Sequence, residues 1–122
     1  MAEKIFVSYS YEDRKYLDGL KEVLRTHGVI EGNETSIIDP FLKTIAVGEN
    51  IRENIKKEIQ SASKVIIIYT NNTEFSQWVN YEVGMADALG KPMVVVRPRG
   101  LKETTLLSFL KHIKLIEVDK KE

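Results

Sequence analysis

Short apolar runs alternate with amphipathic stretches along the whole chain. The apolar runs are rich in β-branched residues and predict five strands, at residues 4–8, 35–39, 64–70, 93–96 and 115–118. The stretches between them space apolar residues by three and four, which predicts helices that begin near residues 16, 51, 76 and 104. Gly28 and Gly90 follow two of these helices and are typical C-terminal caps. Residues 29–30 are a candidate for a further short piece of strand.

Strands that alternate with helices favour right-handed βαβ units and a parallel sheet. Five strands in a chain of 122 residues fit an α/β, flavodoxin-like fold with strand order 2-1-3-4-5 and helices on both faces. The length suits one hydrophobic core, so residues 1–122 are expected to form a single domain.

Composition removes several classes of function. The chain carries 18 basic and 18 acidic residues, so no bulk charge attracts nucleic acid or an anionic membrane. Cysteine is absent, which excludes disulfides and thiolate chemistry, and the two histidines lie far apart, so no metal site is expected. No apolar run approaches the ~20 residues of a membrane span. The first residues offer no signal-peptide core, and we expect a cytoplasmic protein.

The predicted topology places a ligand site at the carboxyl ends of strands 1 and 3, where the strand order reverses. The loops at 8–13 and 71–77 meet there, and the helix that follows adds its first turns. On that helix Glu82 shares an apolar stripe with Trp78 and Met85. A carboxylate on such a stripe is on a surface rim, where it would pair with a lysine, or is hydrogen-bonded, or is functional, and these interpretations stay open.

Two common uses of this fold do not match the residues present. A phosphate-accepting receiver needs an aspartate at the end of strand 3, where this chain has Tyr69, Thr70 and Asn71. A flavodoxin needs a glycine-bearing loop after strand 1, where this chain has Tyr9 and Tyr11. We therefore expect no flavin or other cofactor.

Several motifs together resemble TIR domains. Phe6-Val7-Ser8-Tyr9-Ser10 followed by Glu12-Asp13 is similar to the opening TIR motif. Asp39, and then Val47 to Ile51 around Gly48, resemble the end of the second TIR strand and the loop after it. Ser76-Gln77-Trp78 with Glu82 four residues later is the most specific block. The sequence from Tyr81 to Ala86, followed by Gly90-Lys91-Pro92, most resembles that of stand-alone prokaryotic TIR-like proteins, including those of Thoeris antiphage systems.

A second resemblance involves the same helix. Glu82-Val83-Gly84-Met85-Ala86, followed by Gly-Lys-Pro before a strand, is also similar to nucleoside 2-deoxyribosyltransferases. Those enzymes use the glutamate of this helix as a nucleophile on an N-glycosidic bond. An aspartate-glycine turn usually precedes it, and this chain has Asn72-Thr73-Glu74 instead. Both families therefore assign a ribosyl-type reaction to Glu82.

The TIR resemblance implies an enzyme that cleaves NAD+ between nicotinamide and ribose, yielding ADP-ribose or a cyclic ADP-ribose-type signal. Glu82 would supply negative charge beside the developing ribosyl cation. Trp78 would pack on the substrate, although simple core packing explains its position equally well. The resemblance, with the switch-point loops, places these residues around the substrate: Phe6, Ser8, Tyr9, Ser10, Tyr11, Asp39, Ser76 and Trp78. Tyr9 and Tyr11 are expected to affect substrate placement more than stability.

The resemblance also implies partners. Residues 40–50 carry the apolar side chains Phe41, Leu42, Ile45 and Val47, which are expected either to dock on a second copy, giving a homo-oligomer, or to fold back on the domain itself. A separate effector protein would sense a diffusible product. The competing hypothesis from another class is a non-catalytic TIR module that acts through homotypic contacts.

Overall fold

The computed structural model describes residues 3–31, 34–40, 51–73, 76–101 and 113–121. The expected docking loop after Pro40 and the expected helix over 104–110 lie outside these residues. Within them, no helix is long and apolar enough to cross a membrane.

Five parallel strands form one sheet in the order β2-β1-β3-β4-β5. The predicted flavodoxin-like topology is thereby confirmed. In chain order the strands are β1 (Lys4–Ser8), β2 (Ser36–Ile38), β3 (Lys64–Ile68), β4 (Met93–Pro98) and β5 (Lys114–Val118). A 3-10 segment (Tyr11–Leu17) precedes helix α1 (Leu20–Thr26), and helices α2 (Ile51–Ser61) and α3 (Gln77–Ala88) follow β2 and β3.

The central strands are buried on both faces because successive side chains point to opposite sides. Ile5, Val7 and Tyr9 pack in a cluster with the 3-10 segment and α1. Phe6 and Tyr69 belong to a second cluster, which holds the apolar faces of α2 and α3. Polar side chains are therefore concentrated at the strand ends, and the carboxyl ends of β1 and β3 meet the first turns of α3.

Two predicted helix ends are confirmed by their backbone geometry. Gly28 and Gly90 adopt φ values of 72° and 68°, in the left-handed region that glycine enters without steric cost. After each glycine the next residue closes the helix: Val29 N donates to Leu24 O at 2.8 Å, and Lys91 N donates to Ala86 O at 3.0 Å.

The structure differs from the predicted elements most in three places, and β4 also runs two residues further than predicted, to Pro98. The first helix is divided, because Asp18 and Gly19 leave the helical path between the 3-10 segment and α1. Residues 29–30 are buried but form no strand. β3 ends at Ile68, not at Thr70, because the Thr73 hydroxyl donates to Ile68 O and accepts from Thr70 N, which turns the chain.

The burial of Tyr9 contradicts the expectation that both loop tyrosines lie outside the core. The Tyr9 side chain is 2% exposed, whereas that of Tyr11 is 55% exposed and lies under the Arg14 guanidinium. Tyr9→Ala should therefore lower the free energy of unfolding by about 3–5 kcal/mol, and Tyr11→Ala by less than about 0.5 kcal/mol. Urea denaturation of the two variants measures the difference. Similar losses in both would contradict the placement of Tyr9 in the core.

Ser76 is the N-cap of α3, and its Oγ accepts a hydrogen bond from Val79 N at 3.2 Å. Ser76→Ala should cost about 1 kcal/mol of stability, because one backbone N–H at the helix start loses its acceptor. Gln77→Ala, one residue further on and exposed, is the matched control and should change stability by less than about 0.5 kcal/mol. Thermal unfolding of both variants tests this, and equal melting temperatures would remove the capping role.

Candidate active site

The candidate site is centred on Glu82, which α3 carries onto the end of β1. Its side chain is fully buried. Oε1 accepts a hydrogen bond from Ser8 Oγ at 2.9 Å, whereas Oε2 is buried without a hydrogen-bond partner in the described part of the chain. The interpretation of Glu82 as a rim residue paired with a lysine is therefore wrong. One oxygen is held in place and the other retains its capacity to accept.

Burial raises the pKa of Glu82 to about 8. Desolvation is the largest cause, because it disfavours the charged carboxylate. The hydrogen bond from Ser8 opposes it, whereas the negative charges of Glu58 and Asp39 raise the pKa further. Around neutral pH the unliganded protein therefore favours the protonated acid, and a positive charge brought near Glu82 favours ionisation.

Asp39 follows β2 and is held by the Tyr9 hydroxyl, which donates to Oδ1 at 2.7 Å. Burial and then the hydrogen bond to Asp39 raise the pKa of Tyr9, so the hydroxyl keeps its proton and remains a donor. The Tyr9 ring is fixed in the core below, so this bond ties Asp39 to the end of β1. The carboxylates of Asp39 and Glu58 add negative potential at Glu82 from two other elements.

Trp78 lies one helical turn before Glu82 and is half-buried. It borders a cavity of about 420 Å³ at the carboxyl edge of the sheet. The other residues that line this cavity are Ser10, Tyr11, Glu12, Asn71, Asn72 and Ser76. We call it the Trp78 cavity. Within it the Ser10 hydroxyl donates to the Glu12 carboxylate, and the exposed Tyr11 ring stands at the rim.

The structure divides the predicted site residues into three groups. Ser8 and Glu82 form a buried pair, and Tyr9 and Asp39 form a second pair beside it. Ser10, Tyr11, Ser76 and Trp78 line the Trp78 cavity. Phe6 is fully buried between the sheet and the α2 and α3 helices, so it supports the site from below.

Two contributors were not predicted from the sequence. Glu58 reaches the neighbourhood of Glu82 only because α2 packs beside α3, and no local pattern signals this. Asp13 is 2% exposed, and its carboxylate accepts from Thr70 Oγ1 at 2.5 Å and from Asn72 Nδ2 at 2.9 Å. These bonds tie the turn after β3 to the 3-10 segment and fix one wall of the Trp78 cavity. The available signal was the place of Asp13 in the opening TIR-like motif, because the 3-10 segment itself carries four charged residues and does not single it out.

Known proteins resemble this chain in sequence and in fold. A putative cyclic ADP-D-ribose synthase from Cytobacillus dafuensis is 24% identical over 92 residues, which is 75% of this chain and 24% of that protein. A probable 2′ cyclic ADP-D-ribose synthase from Methanobrevibacter olleyae is 32% identical over 81 residues, 64% of this chain and 21% of that protein. The chain thus spans only about a fifth to a quarter of the length of these relatives.

Among solved structures, the TIR domain of the Toll-related receptor TRR-2 from Hydra magnipapillata superposes with a TM-score of 0.64. Its sequence identity is 16%, and the match covers 93% of this chain and 82% of that domain. This similarity establishes a TIR-type fold. The model of the TIR-like domain of the Thoeris protein ThsB matches residues 6–103, which include the Glu82 and Trp78 helix. The chain therefore belongs to the family of TIR-like domains represented by the Thoeris protein ThsB.

Proposed function

We propose that this protein cleaves NAD+ at the bond between nicotinamide and ribose, and that Glu82 stabilises the ribosyl cation that forms. The observation that carries the proposal is the fully buried Glu82 carboxylate, which Ser8 fixes through Oε1 and whose Oε2 has no hydrogen-bond partner among the residues that the structure describes. The names of the two relatives as cyclic ADP-ribose synthases support the same substrate.

Cleavage of the nicotinamide–ribose bond requires mainly a negative charge close to the ribose. Nicotinamide is cationic in NAD+ and leaves as a neutral molecule, so its departure needs no general acid. Positive charge develops on the ribose as the bond breaks, and a carboxylate in a desolvated pocket stabilises that charge more than water does. Oε2 of Glu82 has no hydrogen-bond partner among the described residues, so it can face the ribose once substrate binding opens a path to it, while the Ser8 hydrogen bond keeps the side chain in one orientation.

The charges around Glu82 suit a cationic substrate. Desolvation is the main cause of the high pKa of Glu82 in the unliganded protein, and Glu58 and Asp39 add to it by making the local potential negative. A nicotinamide cation beside these carboxylates relieves their mutual repulsion and favours the ionised form of Glu82. Substrate binding therefore produces the charged state that catalysis needs.

The product depends on which nucleophile reaches the ribosyl cation. Water gives ADP-ribose, whereas a hydroxyl or nitrogen of the same molecule gives a cyclic ADP-ribose. A pocket that excludes water favours the cyclic product. A diffusible cyclic nucleotide sensed by a separate effector in antiphage defence is the role that accords with the family.

Glu82→Gln should lower the rate of nicotinamide release by about 10²-fold or more, because loss of one such electrostatic interaction costs about 3 kcal/mol. Glutamine retains the shape and the acceptor for Ser8 but carries no charge. Asp87→Asn, on the exposed side of the same helix, is the matched control and should keep wild-type activity. Chromatography of NAD+ reactions, with circular dichroism of each variant, provides the measurement.

Equal rates for wild type and Glu82→Gln would exclude Glu82 from the mechanism. Absence of nicotinamide release by any variant, even with lysate of phage-infected cells added as activator, would favour the non-catalytic interaction module. Release of a free base from a deoxynucleoside, with NAD+ left intact, would support the 2-deoxyribosyltransferase-like alternative.

The pH dependence of kcat/KM should follow ionisation of Glu82 in the unliganded protein. Its pKa of about 8 predicts that kcat/KM rises about tenfold per pH unit below that value and levels off above it, because only the carboxylate is active. Glu58→Gln removes a neighbouring negative charge and should move the rise to lower pH. An unchanged profile in Glu58→Gln, or a flat wild-type profile between pH 6 and 9 in the same assay, would contradict this assignment.

A further inference from the structure

A second cavity, of about 280 Å³, opens at the carboxyl ends of β3 and β4 on the side of the 3-10 segment. The side chains that give it its character are cationic: Lys15, Arg99, Lys120 and Lys121. We call it the basic cavity. It lies at the edge where parallel sheets of this kind bind ligands.

The charge of this cavity contrasts with that of the whole chain. The protein has 18 basic and 18 acidic residues, yet among the residues that the structure describes, four cations and a single acidic residue, Asp13, line the basic cavity. Arg99 pairs with Asp119 at 2.7 Å, outside the lining. Lys121 Nζ donates to the backbone carbonyl of Asp18 at 2.6 Å, a neutral acceptor that does not compensate its charge. Lys15 lies 5.9 Å from the centre of the Tyr16 ring, which likewise leaves its charge uncancelled.

Asp13 offsets at most one of the four cationic charges. Its carboxylate is buried, and both oxygens already accept hydrogen bonds, from Thr70 and from Asn72. It therefore acts as a brace inside the wall, and the charges that face a ligand are ammonium and guanidinium groups. Several such donors around one concave space suit a multiply charged anion, because lysine and arginine bind phosphate oxygens through charge-assisted hydrogen bonds.

We infer that the basic cavity is a second ligand site, which binds the phosphate groups of a nucleotide. Its volume is close to the lower end of small-molecule sites and exceeds what a monovalent ion needs. It shares Asn71 and Asn72 with the Trp78 cavity, so the two cavities adjoin across this wall.

The adjoining cavities allow two sources of phosphate. One is the diphosphate of the dinucleotide whose ribose reaches Glu82, and this source rests on the proposed function. The other is a separate nucleotide, and this source is independent of it. Both present the same chemistry to the basic cavity, and the experiment distinguishes them.

Inorganic pyrophosphate is the probe for the site, with binding measured by calorimetry on the full chain. Lys15→Gln/Lys120→Gln removes two exposed cations and should weaken binding about tenfold or more, equivalent to ~1.4 kcal/mol. Lys56→Gln/Lys57→Gln on α2 removes the same charge elsewhere and should change affinity less than about twofold. Arg99→Gln provides an independent loss at the cavity, and circular dichroism checks each fold. Equal weakening in both double variants, or no binding of pyrophosphate to the wild type, would overturn the proposal.

Trp78 is the chain's one tryptophan, so its fluorescence reports occupancy of the Trp78 cavity. Glu82→Gln protein is titrated with NAD+, with and without saturating pyrophosphate. A shift of the titration to higher NAD+ supports a single dinucleotide that spans both cavities. An unchanged titration, with pyrophosphate still bound, supports a separate nucleotide. If NAD+ leaves Trp78 unaffected, the proposed function is weakened, whereas the pyrophosphate result still decides whether the basic cavity is a site.

Discussion

Burial of the central strands on both faces is the constraint on which the other features of this molecule depend. β1 and β3 carry almost uninterrupted apolar side chains, and helices or the 3-10 segment cover each face. Hydroxyls, amides and carboxylates are accommodated only where the strands end. Ser8, the last residue of β1, is the point at which a polar side chain enters this core, and it meets the carboxylate of Glu82 there.

Desolvation of the Glu82 carboxyl group lowers the stability of the folded protein. A buried carboxyl with one unpartnered oxygen destabilises the folded state relative to a well-packed apolar side chain. The fold offsets this only in part, through the Ser8 hydrogen bond. Asp39, held by Tyr9, and Glu58 on α2 add unfavourable charge. A group maintained under these conditions is expected at a functional site more often than at a structural one.

Much of the architecture was predictable because it depends on local patterns. The β-branched runs and the three- and four-residue spacings identify all five strands and the faces of α2 and α3, and the alternation implies the parallel order. Glu82 on its apolar stripe was already a candidate functional carboxylate, and its burial and raised pKa agree with that interpretation. The alternation of side chains along a strand also indicated that Tyr9 is buried, because it would lie on the same face as Ile5 and Val7. Its position after the predicted end of β1 suggested a loop residue instead. The Ser8 contact, the influence of Glu58 and the basic cavity were not predictable, since each joins residues from distant segments.

Asn71 and Asn72 form the wall that separates the Trp78 cavity from the basic cavity, and this wall can couple binding in the two cavities. The wall is braced by Asp13, Thr70 and Thr73 and faces a cavity on either side, so displacement caused by an occupant of one cavity alters the shape of the other. Thermodynamic linkage makes any such effect mutual. If an anion in the basic cavity strengthens dinucleotide binding by some factor, the dinucleotide strengthens binding of the anion by the same factor. Cellular levels of one ligand would then set the effective affinity for the other.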